Sequence, residues 1–92
     1  MTKGLKNLWF VYIIRCKDGS LYTGITNNLA ERIDEHNSGK GAKYTRARKP
    51  VKLVYQEKYP DKSTARKREM ELQGWSREKK QRLVAGFLRP QT

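Results

Sequence analysis

The stretch of sequence that determines the fold is LWFVYIIRCKDGSLYTGIT, residues 8–26. Up to Cys16 it is apolar at both odd and even positions and rich in aromatic and β-branched residues. This pattern predicts a strand covered on both faces. The letters KDG at 17–19 are a turn signal, and residues 21–26 predict a second, antiparallel strand that completes a hairpin.

The length of the hairpin loop decides which side chains share a face of the sheet. Because side chains alternate with a period of two, a two-residue loop would separate Tyr12 from Tyr22. A three-residue loop over 17–19 instead sets Tyr12 opposite Gly24 and makes the two tyrosines diagonal neighbours on one face. Gly19 suits the third loop position, which takes a positive φ beside a bulge. We therefore predict the three-residue register.

A helix is predicted after the hairpin. Asn28 is a plausible N-cap with Glu31 three residues later, and Gly39 suits the C-terminal stop, so the helix is expected over about 28–38. Residues 40–50 predict a loop or a short helical turn.

The remaining chain predicts one strand and two helices. Val51, Leu53 and Tyr55 alternate with polar residues, which predicts a third strand ended by the Pro-Asp pair at 60–61. Ser63 and Ser76 are the expected caps of the two helices, which run to about Gln73 and Val84. The predicted order is β-β-α-β-α-α, an α+β fold with a small, mostly antiparallel sheet. Residues 1–7 and 88–92 are expected to be a flexible lead and tail.

Charge and length limit the class of protein. The chain has 92 residues, with 21 Lys and Arg against 9 Asp and Glu, a formal net charge of +12. The length predicts a single domain, 1–92 with its core at about 8–84, without a large internal cavity. A small domain with this charge repels itself unless the charge is useful, so nucleic acid is the favoured partner. A merely solubilising surface is the alternative.

Cysteine and hydropathy patterns predict the compartment. Cys16 is the single cysteine and His36 the single histidine, which excludes an internal disulfide and a zinc-finger constellation. The apolar run at 8–14 is too short to span a bilayer, and basic residues follow it rather than a cleavage site. We expect a soluble, cytoplasmic monomer with no membrane partner.

Two basic groups lie beside the apolar stripe of the first helix. On a helical wheel Arg32 and His36 flank Leu29 and Ile33, whereas the acidic residues lie opposite. Both are therefore expected at the rim of the core. A charge there needs a partner or a ligand, or it extends its methylenes to reach water.

One carboxylate of the second long helix is predicted to point inward. Glu69 lies beside Ala65 and Leu72 on the wheel, flanked by apolar positions, whereas Glu71 faces outward. In so basic a chain, an inward carboxylate forms a structural ion pair, for example with Arg32, or holds a divalent ion. The pattern leaves both open.

A basic segment follows the first helix. Six Lys and Arg residues occur between 40 and 52 with no acid among them. Basic side chains with an interleaved aromatic suit phosphate neutralisation and base stacking, and a solvated loop is the alternative. The candidate nucleic-acid contacts are Lys40, Lys43, Tyr44, Arg46, Arg48 and Lys49.

Taken in order, these residues resemble a known family. The chain resembles the GIY-YIG nuclease superfamily in the order and spacing of five residues. They are Tyr12, then after nine residues Tyr22 followed by Thr-Gly, then Arg32 and His36 on one helix, and Glu69 on a later one. The strings SLYTGIT at 20–26 and GKGAKYT at 39–45 look like its small stand-alone branch of uncharacterised bacterial proteins. The resemblance spans about 8–84. In the first motif, FVY at 10–12, only the tyrosine remains.

The resemblance implies a three-stranded antiparallel sheet flanked by helices. It also implies a structure-selective or non-specific endonuclease that hydrolyses a nucleic-acid phosphodiester, DNA rather than RNA being favoured, with one Mg²⁺ or Mn²⁺ ion. By position, Glu69 corresponds to the metal ligand, which suits a hard cation. Tyr12 or Tyr22 would orient or deprotonate the attacking water.

The same resemblance implies roles for three further side chains. Arg32 would hold the scissile phosphate, and His36 and Tyr44 would assist the phosphate or the proton transfers. We expect both tyrosine hydroxyls of the hairpin to face Arg32 and Glu69. Two other functions stay open: a nucleic-acid-binding module with little cleavage activity, and a subunit of a ribosomal or repair complex that acts through protein contacts.

Overall fold

The computed structural model describes residues 8–88, and they contain a three-stranded antiparallel sheet. Its strands are β1 (Trp9–Arg15), β2 (Leu21–Thr26) and β3 (Lys52–Tyr59), in the spatial order β2-β1-β3. β1 is the central strand, and its residues 11–14 are at most 1% exposed. The apolar character of both faces of β1 is explained by helices packed on each side. The predicted order β-β-α-β-α-α and the α+β class are confirmed.

The hairpin has the predicted register. Tyr12 pairs with Gly24 and Ile14 pairs with Tyr22. The amide of Gly19 donates to the carbonyl of Cys16 at 2.9 Å, and Gly19 has a φ of +86°. The loop therefore has three residues, and Tyr12 and Tyr22 share a face of the sheet.

The third strand contains an irregularity that simple alternation does not predict. Ile13 pairs with Tyr55 but Ile14 pairs with Leu53, so Val54 is an extra residue in β3. The bulge puts Leu53 and Tyr55 on opposite faces, where regular alternation would put both on one. Leu53 packs beside Ile14, and Tyr55 packs beside Ile13 on the other face.

Four helices cover the two faces of the sheet within residues 8–88. The helices α1 (Leu29–Asn37) and α2 (Lys43–Arg46) lie on the face of Tyr12. The helices α3 (Lys62–Gln73) and α4 (Arg77–Leu88) pack against the opposite face. The face of Tyr12 therefore carries the first helix and the basic segment, which positions them over the hairpin.

The start of α1 is confirmed, and that of α3 is corrected. The side chain of Asn28 accepts a hydrogen bond from the amide of Glu31 at 3.1 Å. For α3 the cap is Asp61, not Ser63, and its carboxylate accepts from the amide of Thr64 at 2.7 Å. A carboxylate at the N-cap satisfies a free amide and also interacts favourably with the helix dipole.

The last helix is longer than predicted. Ser76 caps it as expected, its hydroxyl accepting from the amide of Lys79 at 3.2 Å, but the helix continues through Gly86 to Leu88. Phe87 packs edge-on against Tyr55, with ring centroids 5.2 Å apart. This packing offsets the cost of about 1 kcal/mol for a glycine inside a helix. The predicted lead 1–7 lies outside the described residues, as does the predicted tail apart from Leu88.

Two further expectations concern Cys16 and the membrane. Cys16 is a free, buried thiol, and it packs as a small apolar residue beside Ile14. Over residues 8–88, no helix combines the length and the apolar character needed to cross a bilayer.

Candidate active site

Tyr12 is the centre of a hydrogen-bonded group on the α1 face of the sheet. It is 1% exposed, and its hydroxyl lies 2.9 Å from Nε2 of His36. Nε of Arg32 donates to the same hydroxyl at 3.3 Å. Arg32 and His36, which flank the apolar stripe of α1, thus both form hydrogen bonds with Tyr12. One helical turn separates them, which directs both side chains to the same point.

The direction of each hydrogen bond follows from Thr45. Its hydroxyl donates to the carbonyl of Ala42 at 2.9 Å and lies 2.8 Å from Nδ1 of His36. A hydroxyl has only one proton to donate, so Nδ1 of His36 carries a proton and donates to Thr45. Burial, and then the charge of Arg32, lower the pKa of His36, which is therefore neutral at pH 7. Nε2 is consequently an acceptor, and Tyr12 donates to it.

His36 lies deeper than the sequence predicted. It was expected at the rim of the core, but it is completely buried. The short helix α2 brings Thr45 over the ring, and the backbone at Gly41 packs against it so closely that a Cβ there would collide with Nδ1. A wheel for α1 alone misses this because the covering residues belong to the next segment.

Arg32 has both used and unused hydrogen-bond donors. Besides the bond to Tyr12, its Nη1 forms an ion pair with Glu35 at 2.8 Å. Within residues 8–88, Nη2 has no hydrogen-bond partner. The Arg32 side chain is 29% exposed, so this nitrogen can reach a ligand from solvent.

Tyr22 packs against the aromatic rings of the site. Its ring centroid lies 6.5 Å from that of Tyr12, 5.5 Å from that of His36 and 6.0 Å from that of Tyr44. Its hydroxyl makes no hydrogen bond within the described part of the chain. Gly24 makes room for this arrangement, because a Cβ there would lie 2.6 Å from the Tyr12 hydroxyl.

Glu69 points inward, as predicted from the helical wheel. It is 9% exposed, between Ala65 and Leu72, which are both fully buried. Arg66, rather than Arg32, forms its ion pair, at a long distance of 3.6 Å. Burial raises the pKa of Glu69, and the charge of Arg66 only partly opposes this effect.

Burial raises the pKa of the Tyr12 hydroxyl, the hydrogen bond and the charge of Arg32 lower it, and Tyr22 and Glu69 add smaller rises. Within residues 8–88, Glu69 forms no hydrogen bond or ion pair with Tyr12 or Arg32, and it lies on a helix of the opposite face. Within residues 8–88, no cluster of three or more His, Cys, Asp or Glu side chains is arranged to hold a metal.

The basic segment contains one residue that differs from its neighbours. Arg48 donates from Nε to Asp18 at 3.0 Å and from Nη1 to the carbonyl of Tyr44 at 2.7 Å. Its guanidinium also lies 4.0 Å from the centroid of the Tyr44 ring. Arg48 thus ties the segment to the hairpin loop. Of the candidate nucleic-acid contacts, Lys40, Lys43, Arg46 and Lys49 are exposed and form no ion pair with the described residues.

Tyr44 already has two ring partners. It stacks on Tyr22 with an interplanar angle of 21° and lies under Arg48. It is still 40% exposed. The ring extends the aromatic wall of the site from Tyr22 toward solvent.

Sequence reasoning assigned no role to Thr45, Gly41 or Lys80. Thr45 fixes the tautomer of His36, and Gly41 allows its burial. The only signal for either was its place in the string GKGAKYT, residues 39–45. Lys80 lies among several basic residues at 77–82, where no single lysine stands out.

Comparison with known proteins identifies the family of the chain. The family model for the GIY-YIG catalytic domain matches residues 8–82, a range that includes all five candidate catalytic residues. The chain belongs to the GIY-YIG catalytic-domain family. The resemblance inferred from the order and spacing of the residues is therefore confirmed.

The relatives include small bacterial proteins. The chain is 56% identical over 75 residues to a UPF0213 protein of Staphylococcus aureus strain Mu3, with 82% of this chain and 92% of the relative covered. It is 54% identical over 76 residues to UPF0213 protein SSP2268 of Staphylococcus saprophyticus, covering 83% and 93% respectively.

Two solution NMR structures resemble the fold. The UPF0213 protein BH0048 from Bacillus halodurans is 50% identical, with a TM-score of 0.55 over 85% of this chain and 83% of the other. Protein EF2693 from E. faecalis is 38% identical, with a TM-score of 0.59 over 95% of this chain and 94% of the other.

Proposed function

We propose that the protein is a divalent-metal-dependent endonuclease that hydrolyses phosphodiester bonds in nucleic acid, with DNA as the favoured substrate. The observation that supports this best is the directed chain of hydrogen bonds from Arg32 through Tyr12 and His36 to Thr45. A hydroxyl that donates to a neutral histidine has a base ready to accept its proton.

The proposed chemical step begins with water attacking phosphorus. As the new P–O bond forms, the water loses a proton to the oxygen of Tyr12, and the hydroxyl proton of Tyr12 passes to Nε2 of His36. Tyr12 is neutral before and after the step, which suits its raised pKa, and His36 becomes the cation. The bond to the leaving oxygen breaks, and that oxygen takes a proton from solvent. Tyr22, whose hydroxyl has no partner in the described chain, orients the water.

Arg32 binds the scissile phosphate in this mechanism. Its Nε already contacts Tyr12, so a phosphate held by its Nη2 lies beside the hydroxyl that activates water. A guanidinium is always charged and matches phosphate oxygens, and it therefore stabilises the charge that develops as the bond breaks.

Glu69 is the residue that would hold the divalent ion. Its carboxylate is nearly buried, has one distant partner and carries a raised pKa, so a cation would relieve an unfavourable charge. A single carboxylate suits Mg²⁺, which keeps several waters and also binds substrate phosphates. When bound, such an ion supplies Lewis-acid stabilisation of the phosphoryl group. The donor set fits one ion.

The exposed basic residues of the segment would bind the nucleic-acid backbone. Lys43 and Arg46 are in α2, which covers His36, and Lys40 and Lys49 lie on either side of it, so phosphates bound there lie next to the proposed catalytic group. Tyr44 supports Tyr22 in this arrangement, and Arg48 holds the segment in place.

A cleavage assay tests the proposal. Supercoiled plasmid and labelled single-stranded, duplex and branched oligonucleotides are incubated with Mg²⁺, Mn²⁺ or EDTA. We expect cleavage with either metal and none in EDTA. Glu69→Gln keeps the shape of the side chain but removes its charge, and should abolish cleavage while binding persists. The matched control is Glu71→Gln, two residues away on the exposed side of α3, which should cleave normally.

Two outcomes would contradict the proposal. Wild-type cleavage by Glu69→Gln would exclude the metal assignment and leave Glu69 as a structural partner of Arg66. Strong binding by the wild-type protein without cleavage of any substrate would instead favour a nucleic-acid-binding module.

A further inference from the structure

A second polar region adjoins the candidate active site at the outer edge of β2. A cleft of about 260 Å³ opens there, lined by Leu21, Tyr22, Thr23, Tyr44, Gln73 and Lys80. It shares Tyr22 with the candidate active site. Gln73 lies one helical turn beyond Glu69 on α3. A strand that passes through the site would therefore meet this cleft next.

Lys80 is the charged group of the cleft. It is half-buried, and within residues 8–88 its ammonium has neither an ion pair nor a hydrogen bond. Its neighbours on α4 differ: Arg77 donates to the carbonyl of Gly19 at 2.9 Å, and the Lys79 ammonium lies 4.1 Å from the Trp75 ring. Burial lowers the pKa of Lys80. The ammonium of a half-buried lysine reaches water along its methylenes, and without a protein partner it is available to bind an anion.

The other polar groups of the cleft are also able to donate hydrogen bonds. Thr23 is 3% exposed, and its hydroxyl has no hydrogen-bond partner. Nε2 of Gln73 donates to the carbonyl of Thr23 over a long 3.4 Å, which leaves its second N–H for a ligand. No carboxylate lines the cleft. An ammonium and an amide N–H together suit an anion with several oxygens.

We propose that this cleft binds the backbone phosphate next to the scissile one, with Lys80 as its charged contact and Gln73 as its second donor. The inference rests on the proposed function, because it assumes a strand in the site. The rings of Tyr22 and Tyr44 form the apolar wall against which the sugar packs. Lys80 thereby fixes the position of the strand relative to Arg32.

Binding without turnover tests the site directly. A labelled oligodeoxynucleotide is titrated in EDTA by fluorescence anisotropy at several salt concentrations. We expect Lys80→Gln to bind more weakly, and the slope of log affinity against log salt to become shallower by about 0.7 to 0.9, the contribution of one phosphate. The matched control Lys79→Gln, one residue away on α4, should keep the wild-type slope. Lys80→Arg, which keeps the charge, should restore it.

Cleavage kinetics and an NMR titration with two ligands complete the test of the cleft. With metal present, Lys80→Gln should raise KM about tenfold or more and leave kcat near the wild-type value, because the contact positions substrate and does not touch the reacting atoms. In NMR titrations, a thymidine dinucleotide should shift the signals of Lys80 and Gln73 at lower concentration than inorganic phosphate does. Equal affinity for the two probes would show a free-anion site and overturn the proposal.

The failures of this proposal and of the proposed nuclease are distinguishable. If the wild-type protein cleaves nucleic acid but Lys80→Gln keeps the wild-type salt slope and KM, the cleft is not a phosphate site. If the salt dependence of binding depends on Lys80 but the wild-type protein never cleaves nucleic acid, the proposed nuclease activity is wrong and the proposed phosphate site is supported. Failure of the wild-type protein to bind oligonucleotide overturns both.

Discussion

Two networks of tyrosine and arginine side chains occupy opposite faces of the sheet, one centred on Tyr12 and one on Glu57. In the Glu57 network, Tyr59 donates to the carboxylate at 2.6 Å, Tyr55 donates to it as well, and Arg68 donates through Nε and Nη2 at 2.9 Å. Both carboxylate oxygens are occupied. Burial, then the hydrogen bond to Glu57, raise the pKa of Tyr55 to about 12.

The Tyr12 network leaves donors unused. Nη2 of Arg32 and the hydroxyl of Tyr22 have no hydrogen-bond partner within residues 8–88, and both adjoin solvent or a cleft. Its acceptor is a neutral histidine, whereas the acceptor of the other network is a carboxylate with every lone-pair direction in use. A saturated network, in which every hydrogen-bonding group already has a partner, stabilises the fold. An unsaturated network built from the same residue types is available for ligands and proton transfer.

The largest effect is expected from removing the hydroxyl at the centre of the first network. Tyr12→Phe should lower kcat for cleavage by about 10²- to 10⁴-fold, the usual contribution of a positioned acid–base group. The free energy of unfolding should fall by about 1 to 2 kcal/mol, because the hydrogen bonds of the hydroxyl with His36 and Arg32 are both lost. The control is Tyr59→Phe in the Glu57 network, which should keep its activity. Equal kcat values for the two variants would remove the functional distinction between the networks.

In the Glu57 network, removing a side chain is expected to lower the stability of the fold. The side chains of Arg68 and Glu57 are only 22% and 16% exposed. Arg68→Met leaves the carboxylate without its charged donors and should lower the free energy of unfolding by about 2 kcal/mol in urea titrations. Arg66→Met, at a position 62% exposed, should change it by about 0.5 kcal/mol or less. A similar loss of unfolding free energy in Arg68→Met and Arg66→Met would mean that the Glu57 network stabilises the fold no more than an exposed ion pair does.

The two networks should respond to pH in separate ranges. His36 accepts a proton only when neutral, and its pKa is lowered below about 6.5. The kcat/KM should therefore be flat near neutrality and fall about tenfold per pH unit below the pKa of His36. The folded protein also favours neutral His36, so this group's contribution to stability is complete above about pH 6.5 and is lost as the pH falls through its lower, folded value.

The Glu57 network should lose its stabilising effect at a lower pH than the one at which cleavage declines. Burial opposes its ionisation, but hydrogen bonds from Arg68, Tyr55 and Tyr59 outweigh burial and hold the pKa of Glu57 below its ordinary value. Its stabilisation is present above about pH 4.3 and is lost as the pH falls through the depressed value. Circular dichroism should thus show folded protein at a pH where cleavage has already declined. Simultaneous loss of both would make unfolding the cause of the acid limb.

Local sequence was enough to predict several parts of the candidate site. The turn KDG at 17–19 specified a three-residue loop, and the loop set Tyr12 beside Tyr22. The inward position of Glu69 followed from helical periodicity. Each of these depends on neighbours within a few residues, where backbone geometry leaves few alternatives.

Other parts depended on contacts between distant segments. The burial of His36 requires Gly41 and Thr45 from the following loop. The bulge at Val54 separates Leu53 from Tyr55 because the two faces of the sheet have different helices to pack against. Alternation and wheels describe one element at a time, so they miss both features.

The sequence by itself determined the order of elements, the hairpin register and the family, because turn chemistry, periodicity and motif spacing are local or linear properties. Only the tertiary structure decided which network is saturated, which tautomer His36 adopts and where Lys80 lies. Those properties depend on which hydrogen-bond partners and apolar surfaces meet after the chain has folded. The cleft beside Tyr22 illustrates this limit, since Tyr22, Gln73 and Lys80 come from three separate elements.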